Sequence, residues 1–112
     1  MSADATATCR SWPVQIFIAG DAAKAAETCR TYCDEAGLCV TVTATTYVYT
    51  GGSEPGVAVG LINYPRFPAD PNAITDTAID LGWQLHAALG QQSFTVQTPG
   101  ITLWFSTRED AS

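Results

Sequence analysis

A chain of 112 residues matches the usual size of one domain, roughly 100 to 200 residues, and excludes a multi-domain enzyme. Apolar residues make up 46% and charged residues 14% of it, too hydrophobic for a disordered chain and too often interrupted for a membrane span of about 20 residues. With a net charge of −6 and five Lys plus Arg there is no basic stripe to track a nucleic-acid backbone or an anionic bilayer, so neither a nucleic-acid polymer nor a membrane is an expected partner. Residues 1–112 are read as a single domain, with residues 1–11 and 108–112 frayed.

Ser2 to Thr8 is small and polar, no basic stretch precedes the apolar run Val14 to Ala19, and that run is short and broken by Gln15. No secretory signal is expected, and the setting is a reducing cytoplasm. Cys9, Cys29, Cys33 and Cys39 are then free thiols, Cys29 and Cys33 being buried small hydrophobes on one helix face. A zinc site from Cys29, Cys33, Cys39 and His86 is the alternative, but no CxxC knuckle supports it. No metal and no cofactor is expected.

Val14, Ile16 and Ile18 alternate with Gln15, Phe17 and Ala19, which predicts a first strand ended by Gly20-Asp21. Asp21 suits the N-cap of a helix whose apolar stripe is Ala22, Ala25, Ala26, Cys29, Cys33 and Ala36, with Gly37 as its stop. From Leu38 to Thr50 nearly every residue is β-branched or aromatic, predicting a long second strand. The stretch from Gly51 to Gly56 reads as a loop, after which Val57 to Tyr64 closes a hairpin. Asp70-Pro71 supplies an N-cap and an N1 proline for a second helix with the stripe Ile74, Ala78, Leu81, Leu85 and Ala88 or Leu89, stopped by Gly90. Ser93 to Thr98 and Ile101 to Ser106, on either side of Pro99-Gly100, form a closing hairpin or one interrupted strand. This order predicts an α+β fold, a ferredoxin-like βαββαβ sandwich with an antiparallel sheet and two helices on one face.

The other sheet face, bearing Phe17, Tyr47 and Tyr49 with Tyr64 and Trp104, is more aromatic than a solvated face requires, so a homo-oligomer that covers it is expected. The four arginines stand beside aromatics, as in Tyr64-Pro65-Arg66-Phe67 and Trp104-Phe105-Ser106-Thr107-Arg108. A guanidinium grips a phosphate or carboxylate at two points while a flat ring stacks on a base. The candidate binding set is Arg66 and Arg108 for the anionic groups, Asn63 for a base edge or ribose, and Tyr64, Phe67 and Trp104 for stacking. Glu54 and the lone His86 are the available acid and base. No GxSxG, HExxH or phosphate-cradling GxxxxGK occurs, so catalysis is the weaker reading.

The block Gly37-Leu38-Cys39-Val40-Thr41-Val42-Thr43, then Tyr47-Val48-Tyr49-Thr50-Gly51-Gly52, then Gly60-Leu61-Ile62-Asn63-Tyr64-Pro65-Arg66-Phe67-Pro68 resembles a stretch of small phage-encoded proteins of unassigned role. In size, expected setting and expected assembly the chain is also similar to phage anti-defence "sponge" proteins, which sequester cyclic nucleotide or ADP-ribose immune signals. That resemblance carries no site residues. It implies an oligomeric protein of the host cytoplasm that holds a small anionic, nucleotide-like ligand without cleaving it. The rival expectations are an inhibitor whose acidic surface occludes a host protein, and a small enzyme using Glu54 or His86.

Overall fold

The structure, a computed structural model, describes residues 4–108. In chain order it contains β1 (Val14–Ala19), α1 (Ala22–Ala36), β2 (Thr41–Tyr49), β3 (Gly52–Leu61), α2 (Pro71–Leu89), β4 (Ser93–Gln97) and β5 (Thr102–Ser106). The sheet order is β2-β3-β1-β4-β5, and every neighbouring pair is antiparallel. Its first four strands are the expected ferredoxin-like sandwich, and β5 is an addition that extends the sheet beyond β4. The last two segments are therefore a hairpin rather than one interrupted strand. Its turn is tied by Thr98, whose backbone N–H and hydroxyl both donate to the Ile101 carbonyl at 2.8 Å.

Both helices end where their capping residues stand, although the Asp70 side chain makes no cap hydrogen bond. The Asp21 carboxylate accepts from the Lys24 amide at 2.9 Å. At the other end of α1, Gly37 takes a left-handed φ of 71°, and its N–H and that of Leu38 both donate to the Cys33 carbonyl, at 2.8 and 3.2 Å. Proline opens α2, and Gly90 closes it at φ 65°. Their inner faces cover Val14, Ile16, Ile18, Val57, Val59, Leu61, Phe94 and Val96 with Ala25, Cys29, Ile74, Ala78, Leu81 and Leu85, and burial of this apolar surface is the main stabilising term. No helix among the described residues is long and apolar enough to cross a membrane.

The segment from Gly51 to Gly56, expected to be a loop, is mostly strand. Only Thr50 and Gly51, with φ 87°, make the turn, and β3 runs from Gly52 through Glu54 and Pro55, paired with Tyr49 down to Thr46 on β2. Proline is tolerated because of where its nitrogen points. The Pro55 carbonyl accepts from the Gly20 amide at 2.9 Å, so Pro55 turns its backbone polar atoms toward β1, beyond the end of that strand, where no ladder hydrogen bond is lost. The tip of the β2–β3 hairpin thus projects past the sandwich, leaving Val48 78% and Tyr49 54% exposed. This arm makes the molecule long, with a radius of gyration of 15.4 Å where a compact chain of this length has about 13 Å. At the N-terminal end, Cys9 and Arg10, expected to be frayed, are held by Asn63. Residues 1–3 and 109–112 of the expected frayed ends lie outside the described residues.

Two buried or bonded groups set the alkaline limit of the fold. Burial, with the neighbouring Cys33, pushes the Cys29 thiol from an ordinary 9.0 to about 11. Burial and the bond to the Asp80 carboxylate push the Tyr32 phenol from 10.0 to about 12. Both folded values lie above the unfolded ones, so the stability these protonated groups contribute is complete below their unfolded pKa values and is lost as pH rises through the folded ones. The urea midpoint is expected to be flat from about pH 7 to 9 and to fall between about pH 9 and 12. Absorbance at the tyrosinate wavelength should show a phenol titrating at about pH 12 that is absent in Tyr32→Phe.

Candidate functional site

The β register builds the open face of the sheet row by row. One row runs Thr43, Ala58, Phe17, Thr95, Trp104 across all five strands, and the hairpin places Glu54 directly opposite Tyr47 on the same face. Such opposed residues stand about 5 Å apart at their Cβ atoms. The Tyr47 ring folds down across Gly56, where any Cβ would collide with it and with the Ile18 carbonyl, and its hydroxyl donates to the Val57 carbonyl at 2.6 Å. Burial pushes the Tyr47 phenol above its ordinary value, so it stays a neutral donor.

The rest of the site comes from the junction between α2 and β4. Gly90 turns the chain, with the Gln91 amide donating back to the His86 carbonyl at 3.1 Å. The Thr107 amide donates to the Gln92 carbonyl at 2.8 Å, which draws the end of β5 over this loop. Arg108 is thereby brought in, its Nε donating to Gln92 Oε1 at 2.9 Å. The result is an open cavity of about 450 Å³ lined by Phe17, Ala19, Tyr47, Glu54, Gln91, Gln92, Ser93, Thr95 and Arg108, with Ile18, Gly90 and Phe94 behind them. Its charged groups are one carboxylate and one guanidinium. Around them stand the Phe17 and Tyr47 rings, the Gln91 and Gln92 carboxamides and the Ser93 and Thr95 hydroxyls, a set suited to a small zwitterion attached to a flat ring system.

Among the residues singled out from sequence, Arg108 lines this cavity and Trp104, 53% exposed, stands on the same face one strand beyond Thr95. Asn63, Tyr64, Arg66 and Phe67 do not join them. They follow β3, at the Val14 end of β1, whereas the cavity lies at the Ala19 end, roughly 16 Å away along the strand. Asn63 is 7% exposed and its carboxamide is fully engaged, donating to the Arg10 and Ala69 carbonyls at 2.8 and 3.1 Å and accepting from the Ala69 amide at 2.9 Å. Tyr64 donates to Cys39 Sγ at 3.5 Å. The Arg66 guanidinium lies 5.2 Å from the Phe67 ring centroid, and Phe67 is 71% exposed. Asn63→Ala is therefore expected to lower stability by about 1–3 kcal/mol, the cost of stranding its buried partners, read as a shift in urea midpoint at constant slope.

His86 packs edge-on against Trp83 at 5.1 Å and bonds Thr107 at 3.3 Å, outside the cavity and away from the groove holding Cys29, Cys33 and Cys39. Sequence reasoning placed Glu54 in a loop and so missed its pairing with Tyr47. It also passed over Gln91, Gln92, Ser93 and Thr95, although polar residues directly after a helix-ending glycine mark a loop positioned by rigid elements.

No protein-family model matches the sequence, and no curated protein matches it significantly. Solved structures do share its architecture. A phage SAM lyase in complex with S-methyl-5'-thioadenosine superposes with a TM-score of 0.74 at 15% identity, covering 95% of this chain and 97% of the other. A phage SAM lyase in the apo state gives 0.65 at 20% identity, covering 90% and 91%. Over nearly its whole length, then, the chain has the same fold as phage SAM lyases.

Proposed function

We propose that this chain is a phage-type anti-defence protein of the host cytoplasm that binds an adenosyl sulfonium or thioether, SAM or S-methyl-5'-thioadenosine, in the cavity between Tyr47, Glu54 and Arg108, and that it cleaves SAM. The observation that carries the reading is the coincidence of fold and lining. A fold shared with a protein that holds S-methyl-5'-thioadenosine here surrounds a nucleoside-sized space with one carboxylate, one guanidinium and the Phe17 and Tyr47 rings. SAM carries a sulfonium, an ammonium and a carboxylate. Glu54 takes the positive groups, Arg108 the carboxylate, and Phe17 or Tyr47 stacks on the adenine, with Gln91 and Gln92 at its edge or at the ribose. SAM, a nucleoside carrying charges of both signs, differs from the anionic, nucleotide-like ligand expected from the arginines.

The chemistry asks little of the protein. When the bond between sulfur and the methionine-derived γ carbon breaks, its electron pair passes to sulfur and neutral S-methyl-5'-thioadenosine leaves. The substrate's own carboxylate closes on that carbon, so neither water nor a protein nucleophile is consumed. The positive charge on sulfur falls as the bond breaks, so Glu54 chiefly binds, and the rate comes from Arg108 and the cavity walls holding the carboxylate in line with the carbon. This accords with a lining that has no hydroxyl or thiol paired to a base.

The exposed row ending at Trp104 is covered in this reading by a second copy, whose Tyr64, Arg66 and Phe67 loop reaches the cavity that the same loop of its own chain cannot. The second reading is sequestration without cleavage, which the same lining also permits. Incubation with SAM followed by chromatography and mass spectrometry separates the two. Accumulation of S-methyl-5'-thioadenosine supports cleavage, stoichiometric retention of intact SAM overturns cleavage in favour of sequestration, and the absence of both removes SAM as the ligand. Light scattering during gel filtration tests the assembly, for which a monomer at micromolar concentration is the contrary result.

A further inference from the structure

A second feature lies on the helix side of the sheet, where α1 ends and β2 begins. Cys29, Cys33 and Cys39 line one groove of about 420 Å³ with Arg30, Leu38 and Val40, and all are free thiols. The turn that ends α1 brings two of them together. The amides of Gly37 and Leu38 both donate to the Cys33 carbonyl, folding the chain back so that Cys39, the next residue, lines the same groove as Cys33. Burial and the nearby Cys39 push the Cys33 thiol above its ordinary value, and the Val40 amide opposes them. Cys39 is exposed, Cys33 half-buried and Cys29 buried, so the groove holds an accessible thiol, a neighbouring one and a deep one. Cys29 and Cys33, one helical turn apart, have their separation fixed by α1. Cys39 instead sits on the short connecting segment, which can adjust to bridge geometry.

We propose that Cys33 and Cys39 form an oxidation-sensitive pair that closes to an intrachain disulfide under hydroperoxide. The Cys39 sulfur attacks the peroxide O–O bond and becomes a sulfenic acid, and the displaced hydroxide takes up the Cys39 thiol proton and leaves as one water. Cys33 then attacks that sulfur, the S–O bond breaks, and a second water leaves with the Cys33 proton. Two thiols are oxidised and one peroxide is reduced to two waters. The bridge pins the end of α1 to the start of β2. It also replaces the thiol at which the Tyr64 hydroxyl points, at 3.5 Å, so the state of the pair is felt in the loop that carries Arg66.

The test treats the full chain with a few equivalents of hydrogen peroxide, alkylates residual thiols and digests with trypsin and Glu-C together. These proteases cut after Arg30 and Glu35 and so separate Cys29, Cys33 and Cys39. The expected result is a mass loss of about 2 Da, a Cys33–Cys39 cross-linked peptide and alkylated Cys29, with a Tm raised by about 5 °C in the oxidised protein. Cys39→Ser abolishes the bridge, and Cys29→Ser leaves it intact. A bridge involving Cys29, a disulfide between chains, sulfinic acid at Cys39 without a bridge, or all thiols alkylated after treatment overturns the proposal.

Discussion

Gly82→Val is expected to destabilise the fold by about 3 kcal/mol, lowering Tm by roughly 15 °C. Gly82 is buried on the inner face of α2, and a Cβ there meets three ring atoms of Phe94, none of them farther than 2.9 Å. The ring has nowhere to go. Phe94 is 2% exposed, stacked on Phe105 at 5.0 Å and met edge-on by Trp83 at 5.0 Å. The valine gains some helix propensity over glycine, but by only a few tenths of a kcal/mol, far less than the displacement costs. Gly100→Ala is the control, because a Cβ there meets nothing within 4 Å, and its effect should stay within about 0.5 kcal/mol. Thermal melts of both variants check the prediction, and equal Tm values contradict it.

Glu54→Gln is expected to weaken binding of SAM by about 10- to 100-fold, the worth of a charge-assisted contact of about 1.5–3 kcal/mol. Binding of S-methyl-5'-thioadenosine, which has no sulfonium or ammonium, should change far less. Stability should stay close to that of the parent, since Glu54 is exposed on the hairpin arm. Because Glu54 acts on a charge that fades along the reaction, the loss should fall mainly on KM, whereas Arg108→Gln should fall on kcat as well. Steady-state kinetics with SAM check both. An unchanged KM in Glu54→Gln removes Glu54 from the site.

Much of the fold was legible because local chemistry and tertiary position agree in it. The alternation of Val14, Ile16 and Ile18 meets a sheet covered on one face, and Asp21, Gly37, Pro71 and Gly90 bracket two helices whose stripes face inward. The hairpin shows where such reading stops. Gly51, Gly52, Pro55 and Gly56 have a loop's composition, yet Pro55 sits in a strand because β1 has already ended beside it, a fact about a third strand that no local window contains. That shift of boundary is also what hid the site, since Glu54 faces Tyr47 only if the turn is at Thr50 and Gly51. Arginine beside aromatic in sequence joins residues that the fold separates. It pointed to Arg108, which the Thr107–Gln92 bond carries into the cavity, and to Arg66, which the topology leaves at the other end of the sheet.

On the proposed reading, the space between Tyr47, Glu54 and Arg108 takes an adenosyl thioether. Isothermal titration of S-methyl-5'-thioadenosine into the intact protein tests it most directly, with the Arg108 and Glu54 variants alongside and the methyl and aromatic resonances of Ala19, Phe17 and Tyr47 followed by NMR. Saturable binding that shifts those resonances, leaves Phe67 unmoved in a monomeric variant and survives in Glu54→Gln is the predicted result. No heat and no shift at millimolar ligand, or shifts confined to the far end of the sheet, contradicts it.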